Sequence, residues 1–525
     1  MGDDTRPTAP IRLHPETATP ARLNSPGLGR TILAATLVAV VLRLFRLGHP
    51  SLWVDEIITW YTVSGREAMT FGRLLENVHG PIYSLLLFGW CRLAGESEWA
   101  LRFPSAVLGT LLVPAIAWLA RRWLGRETAG WAAWLAAGSP FLVWYAQEAR
   151  NYTLLMLCVA VSSALLLGLR ERLRAAPLAG YLVTAMTGLL SNFSFAFMGP
   201  VQLAWWLGSP GGRRRRLSIA LGAALLLLLA VAPWIGSIRG NWDWRRLAPG
   251  HAAAGATALR GATTFHPAAI PFAFHSFAVG YTLGPPLREL RADGSFATVK
   301  RHLPEVAAAT LVFGILSLLG LRALARRGRL VEALLWGVPA VVLVSYSAMH
   351  NFKVFHPRYL AAIQPMLIVA WAAALADLPR GGRRLATVAV AALWGLSLAH
   401  LYFDDRYAKD DLRSAVRVIA TRPPAGERVI AVNSADMLVY YYRGNLPVES
   451  YWLGFVADPV KMADKFESMK GPGPVWVLLA RPEDLDPRGL FVAWLEARYP
   501  HAQRWRFAGV RLWRIGAEAE APGAR

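Results

Sequence analysis

Long apolar runs dominate the chain, and short arginine-rich clusters separate them. A membrane-spanning helix needs about 20 mostly apolar residues. Candidate spans begin near Thr31, Phe103, Ala129, Tyr152, Leu178, Ser194, Leu217, Val306, Val331, Tyr359 and Ala386. The pattern predicts a polytopic α-helical membrane protein with about eleven spans. The basic clusters test that count. Arg121, Arg122 and Arg126 follow the second span, and Arg170, Arg172 and Arg174 the fourth. Arg213, Arg214, Arg215 and Arg216 follow the sixth. Arg322, Arg326, Arg327 and Arg329 follow the eighth, and Arg380, Arg383 and Arg384 the tenth. Every second short loop is strongly basic, which assigns those loops and the N-terminus to the cytoplasm. The alternate loops then face outward: residues 48–102, 147–151, a turn near Asn192, 237–304 and 350–358.

One segment breaks the alternation. Residues 79–93 are apolar enough for a helix, yet only about half the length of a span. Counting them as a span would put Arg121, Arg122 and Arg126 outside and invert every later loop. They therefore read as a juxtamembrane helix in the first outer loop, lying in the interface with its apolar face down. Trp53, Trp60, Trp90 and Trp99 suit that level, because indole rings favour the headgroup region.

The two ends differ from the middle. Residues 1–30 are rich in Pro, Thr and Arg and read as a disordered cytoplasmic tail. Residues 31–402 carry the spans. From 403 to 525 the composition shifts, with Asp404, Asp405, Lys409, Asp410, Asp411 and Arg413 close together. Strand-like runs follow at 428–432, 438–442, 475–479 and 505–514, with helix-like pieces at 412–420 and 487–498. This predicts a small α/β domain on the outer side. The acidic run itself sits where a helix N-terminus attracts carboxylates.

Composition sharpens the class. Of 525 residues, 55% are hydrophobic and 17% charged, which excludes an ordinary soluble enzyme and a disordered chain. Lys and Arg outnumber Asp and Glu by 56 to 34, a net +22. Because the surplus lies in loops between spans, it marks membrane topology and not nucleic-acid binding. Two cysteines, Cys91 and Cys158, make neither a disulfide framework nor a zinc ribbon. No phosphate-binding loop, dinucleotide fingerprint, zinc-protease helix or serine-nucleophile elbow occurs.

The candidate chemistry lies in the outer loops. Trp53-Val54-Asp55-Glu56 puts two carboxylates beside the membrane. On a helix they point about 100° apart, so one can face a site and the other a supporting shell. Asp55 could equally cap a helix. Tyr145-Ala146-Gln147-Glu148-Ala149-Arg150-Asn151-Tyr152 ends the third span. If helical, it sets Tyr145, Glu148 and Tyr152 on one face; an ordinary interfacial turn is the alternative. Lys353, His356 and Arg358 open the tenth span beside aromatics. They could hold a phosphate, Arg by a bidentate fork and Lys as a point charge, or they could simply snorkel. His79 and Tyr83 bracket the start of the juxtamembrane helix, with Pro81 suited to its first turn. Phosphate leaving groups need positive charge and hydroxyl nucleophiles need a base. Together the loops suggest group transfer from a membrane-embedded phosphate donor.

These residues resemble a family. The Asp55-Glu56 pair followed by HGPIYSLLLFGWCRLAGESEWALRFPSAVLG is similar to the GT-C glycosyltransferases. The nearest groups are the protein O-mannosyltransferases (glycosyltransferase family 39), the lipid A aminoarabinose transferases and related enzymes of lipopolysaccharide-core modification. YAQEARNY, FAVGYTLGP and HPRYL are further landmarks of the bacterial branch. The chain departs at Ser191-Asn192-Phe193, where many relatives carry a His. The resemblance implies a GT-C fold and an inverting enzyme of the bacterial inner membrane. Its donor would be a polyprenyl-phosphate-linked sugar and its acceptor a hydroxyl of a lipid, glycan or protein. It implies Asp55 as the catalytic base, with Glu56 beside it and Glu148 as a second acid. Arg150, Lys353 and Arg358 become donor-phosphate contacts. His79, Tyr83, Tyr145, Tyr152, His356 and Tyr359 become substrate contacts. A divalent metal stays open, since relatives differ.

The long loop at 237–304, with Trp242, Trp244, His266 and His275, is expected to close over the site. A transporter or lipid flippase is the rival reading. Transporters gather charges at the bilayer midplane, whereas here the acids collect at one interface.

Overall fold

The computed structural model describes residues 26–64, 80–209, 212–235, 269–293, 295–341, 357–421, 427–432, 434–451, 459–486 and 488–516. Helices dominate up to Phe403. The first four are α1 (Pro26–Leu44), α2 (Val54–Val63), α3 (Pro81–Ala94) and α4 (Glu98–Leu124). Then come α5 (Arg126–Gly138), α6 (Pro140–Ala146), α7 (Tyr152–Glu171), α8 (Ala175–Leu189), α9 (Met198–Leu207) and α10 (Arg213–Val231). After them lie α11 (Ala269–Val279), α12 (Leu287–Ala292), α13 (Leu303–Arg326), α14 (Leu330–Leu334), α15 (Gln364–Asp377) and α16 (Arg380–Phe403).

Among the described residues, 7 helices are long and apolar enough to cross a membrane. They cover seven of the expected spans. The other four expected spans fall on shorter helices, at α5–α6, α8, α9 and the segment starting with α14. The apolar segment at α3 is 14 residues long. At 1.5 Å per residue that is about 21 Å, short of the ~30 Å hydrocarbon core, as its reading as a juxtamembrane helix required. Residues 1–25 of the expected tail and the large-loop residues Trp242, Trp244 and His266 lie outside the described residues, while residues 26–30, expected to be disordered, form the start of α1.

The middle of the bundle is α4, α7 and the span Pro357–Asp377, 78% and 83% buried in the latter two. The span Arg213–Trp234 is 6% buried and turns Leu221, Leu225, Leu228 and Leu229 outward. Such an apolar exterior is stable only against lipid.

Polar contacts gather at the two ends of α4, about 40 Å apart for a helix of 27 residues. At its C-terminal end the expected basic loops meet. Arg122 pairs with Glu171 at 3.4 Å, Arg170 with Glu332 at 2.7 Å, Arg327 with Asp377 at 2.5 Å and Arg383 with Glu127 at 2.6 Å. At its N-terminal end lie α2, the 147–151 turn and the chain after α16.

Ahead of that turn the third span is broken. Ser139 and Pro140 stop α5 and start α6, with Ser139 Oγ accepting from the Leu142 N–H. The carbonyls freed at the end of α5 need donors. Arg43 of α1 supplies them, to Ala136 and Ala137 at 3.0 Å each. In return Gln147 donates to the carbonyls of Leu42, Arg43 and Phe45 at the end of α1. Helix α6 ends at Ala146, so Tyr145, Glu148 and Tyr152 do not share one continuous helix.

The C-terminal unit has α17 (Leu412–Thr421), α18 (Ala435–Tyr441) and α19 (Leu490–Arg498) around a sheet. Its strands are β1 (Arg428–Val432), β2 (Val448–Tyr451), β3 (Val475–Ala480), β4 (Gln503–Phe507) and β5 (Val510–Ile515), in the order β2-β1-β3-β5-β4. β1 is parallel to β2 and β3, while β5 is antiparallel to β3 and β4. The expected strand at 438–442 is instead helical. Its Tyr440 ring packs edge-on against Trp60 at 4.9 Å, and its Tyr441 OH accepts from the Leu52 N–H at 2.6 Å. Tertiary packing overrides the β-propensity of Val-Tyr-Tyr-Tyr. The single expected strand at 505–514 is a hairpin, turned at Gly509.

Candidate active site

Helix α2 opens with both carboxylates in its first turn, which suits the positive end of a helix. Their surroundings differ sharply. Glu56 is fully buried. Arg102 grips it by a fork, Nε to Oε1 and Nη2 to Oε2, each 2.8 Å. The Ala149 N–H donates to Oε1 at 2.9 Å. Burial alone would raise its pKa, but the Arg102 and Lys409 charges and these hydrogen bonds bring it down to about 2. Arg102 spends its remaining donors on the carbonyls of Leu47, Pro50 and Ser51. The Glu56–Arg102 pair thus ties α2, the loop after α1, α4 and the 147–151 turn together.

Asp55 points elsewhere. Its side chain is one-fifth exposed, and Oδ2 accepts from Arg358 Nη1 at 2.7 Å. The Arg358 guanidinium sits over Trp53 at 5.4 Å and Tyr359 at 5.5 Å, which fixes its plane. Arg150 turns toward the backbone of α2. It donates to the Asp55 carbonyl at 3.3 Å and the Thr59 hydroxyl at 3.0 Å, and it flanks the Tyr152 ring. Its own carbonyl accepts from Ser105, which pairs with the Tyr83 hydroxyl at 2.7 Å.

Beside this constellation is a cleft with about 680 Å³ of empty space. It is lined by Trp53, Trp144, Tyr145, Glu148, Tyr281 and Arg358, together with the cations Arg288, Arg291, Arg406 and Lys409. Five cations against Glu148 and Asp410 leave the lining positive. Tyr145 and Tyr281 are joined hydroxyl to hydroxyl at 2.8 Å. Glu148 is 2% exposed, and its Oε1 lies 3.4 Å from Lys409 Nζ. Burial raises its pKa, against the lowering charge of Lys409.

Of the expected site residues, Glu148, Arg358 and Tyr145 line the cleft, and Asp55 adjoins it through its ion pair with Arg358 without lining it. Glu56, Arg150 and Tyr83 are turned into the protein and do not line the cleft. His79, Lys353 and His356 lie outside the described residues. His275 bonds the Leu283 carbonyl at 2.8 Å, within its own neighbourhood. Asn192, at the position expected to carry a His, caps the 3-10 turn Phe193–Phe197 and reaches Asn151.

The lining extends beyond the last expected site residue, Tyr359. Arg406 and Lys409 come from the segment after α16. Asp411 does cap α17, through Ser414 N–H, as a structural reading of the acidic run requires. The signal missed was the cation inside that run, at the membrane surface. Tyr281 lay within the quoted FAVGYTLGP motif.

The described residues of the site do not group as metal ligands. Among the described residues no three His, Cys, Asp or Glu side chains cluster as ligands. Asp55, Glu56 and Glu148 each face a cation instead.

The sequence model of the dolichyl-phosphate-mannose-protein mannosyltransferase family matches residues 78–236. No curated protein matches the sequence. Among solved structures, the chain is similar to ArnT from Cupriavidus metallidurans bound to undecaprenyl phosphate. The TM-score is 0.57 at 15% identity, over 95% of this chain and 100% of that one. It is also similar to the Archaeoglobus fulgidus oligosaccharyltransferase, with TM-score 0.55 at 12% identity over 89% and 71% of the two chains. The AglB oligosaccharyltransferase of that organism, in complex with an inhibitory peptide and a dolichol-phosphate, gives 0.53 at 12% identity over 95% and 75%.

Proposed function

The chain has the GT-C fold of membrane glycosyltransferases, and within it we propose an inverting transfer of a sugar from a polyprenyl-phosphate carrier to a hydroxyl acceptor. The observation that carries this reading is the joining of Asp55 to Arg358 at the rim of a cation-lined cleft. Solved relatives with this fold hold undecaprenyl phosphate or a dolichol-phosphate, the kind of donor carrier the cleft suits.

Asp55 takes the proton of the acceptor hydroxyl. That oxygen bonds to the anomeric carbon as the bond from carbon to phosphate oxygen breaks, which inverts the configuration. The electron pair leaves on the polyprenyl phosphate, and Arg358 with the cleft arginines Arg288, Arg291 and Arg406 stabilises it. Arg358 is suited to both tasks, since one Nη holds the base and the guanidinium fork carries further donors. Glu56 and Arg102 hold the loop that presents Asp55, and Arg150 braces the helix beneath it.

The protein is a multi-pass membrane protein. Its alternating arginine loops support a bacterial inner-membrane location with the N-terminus cytoplasmic and the cleft outside. The transporter reading has no likeness in its favour. Purified protein given undecaprenyl-phosphate-linked mannose, glucose and arabinose, with membrane lipids, glycans and protein as acceptors, tests the proposal. Transfer with inverted anomeric configuration is expected. Retention of configuration, or movement of lipid without sugar transfer, overturns it.

A further inference from the structure

Lys409, a cation of the cleft, touches two buried acids. Its Nζ lies 3.4 Å from Glu56 Oε2 and 3.4 Å from Glu148 Oε1, and 5.6 Å from the Trp144 ring. It comes from the segment between the last spanning helix and the α/β unit, 353 positions from Glu56. Glu56 does not depend on it, because Arg102 already holds both oxygens. Glu148 does. Its other oxygen, Oε2, is buried and has no hydrogen-bond partner among the described residues. Glu148 nevertheless lines the cleft beside Tyr145 and Tyr281.

A buried acceptor left unpaired is costly, and native proteins keep such groups for a purpose. The groups acting on Glu148 are Lys409, Glu56, Arg358 and Asp55. Lys409 contacts it directly, at 3.4 Å.

Resting on the glycosyl-transfer reading, we propose that Lys409 is a positioning residue: it holds Glu148 by one oxygen as an anion, and the other oxygen is presented to the cleft as acceptor for a sugar hydroxyl. The C-terminal segment is thereby part of the active site and not an appended domain. A carboxylate so placed binds a sugar hydroxyl with a charge-assisted hydrogen bond. It makes no demand on the phosphate.

Full-length protein in nanodiscs separates these roles. Infrared difference spectra between chains with Glu148 and with Glu148→Gln read the protonation of Glu148. In the wild-type background the difference shows loss of a carboxylate. In a Lys409→Met background it shows loss of a protonated carboxyl, and in Lys409→Arg a carboxylate again. Undecaprenyl phosphate without sugar should bind Lys409→Met within about twofold of wild type, whereas Lys409→Met and Glu148→Gln both raise the KM for the sugar-bearing donor. A carboxylate persisting in Lys409→Met overturns the proposal. So does loss of bare undecaprenyl phosphate binding there, which would make Lys409 a phosphate contact. If Lys409→Met alone fails to fold, the Lys409→Met/Glu148→Gln pair, lacking the lone buried charge, should fold; failure of both overturns the assignment. The infrared and binding readouts need no sugar. Failure of the transfer reading shows separately, as an intact wild type that moves no sugar.

Discussion

Arg358 and Asp55 stand 303 positions apart and meet at 2.7 Å, at the mouth of a cleft lined by four further cations. The contact couples the start of one spanning helix to the outer loop after the first. On the proposed transfer, it sets the proton acceptor next to the group that meets the leaving phosphate, so the two ends of one displacement share one ion pair.

Asp55→Asn should therefore lower transfer by about 10²–10⁴-fold, the usual share of a general base. Binding of undecaprenyl phosphate should stay, since Asn keeps the shape and can still contact Arg358. Turnover and binding measured on the same preparation decide it, and near-normal turnover removes Asp55 from the role.

Arg358→Ala should act on the carrier. A charge-assisted hydrogen bond contributes about 1.5–3 kcal/mol, or roughly 10- to 100-fold in Kd. Titration with undecaprenyl phosphate should show that loss. A changed KM for acceptor alone would contradict it.

Glu56→Gln should destabilise the fold instead of selectively slowing chemistry. Breaking one side of a buried ion pair costs about 3–5 kcal/mol. The pH dependence gives a second reading. The folded pKa of about 2 lies below the ordinary 4.5, so the anion stabilises fully above about pH 4.5 and the benefit fades as pH falls toward 2. Thermal melts of wild type and Glu56→Gln should differ most near neutral pH and converge through that window. A gap independent of pH argues against this role.

Gly509→Ala should loosen the junction between the hairpin and the segment carrying Lys409. Gly509 has φ +62°, and an added Cβ would lie 2.0 Å from Asp410 Oδ1. Both the backbone and the neighbour oppose it, at a cost of about 1–3 kcal/mol. Faster proteolysis after α16 is the expected sign, and unchanged cleavage rules it out.

Single cysteines placed on α18 or α19 should react with an impermeant reagent from outside intact spheroplasts. Reaction only after lysis would invert the topology and the side of the cleft.

The sequence by itself determined the membrane class, the expected spans and the two-ended distribution of charge. These are local properties: hydrophobic length sets spans, and arginine loops set ends. It also located Asp55, Glu148 and Arg358, because charged residues at a membrane face stand out against apolar helices. Adjacent carboxylates were legible as divergent, yet the helix phase alone could not say which one meets solvent. Arg102 decided that, by burying Glu56 within a fork that leaves no oxygen for a ligand. The sequence placed Tyr440 and Tyr441 in a strand, whereas contact with Trp60 and Leu52 makes them helical. Lys409 was hidden in an acidic run that explains itself as helix capping. Only folding carries it 353 positions back to Glu56 and onto Glu148, because electrostatic partners are chosen by distance in space and not along the chain.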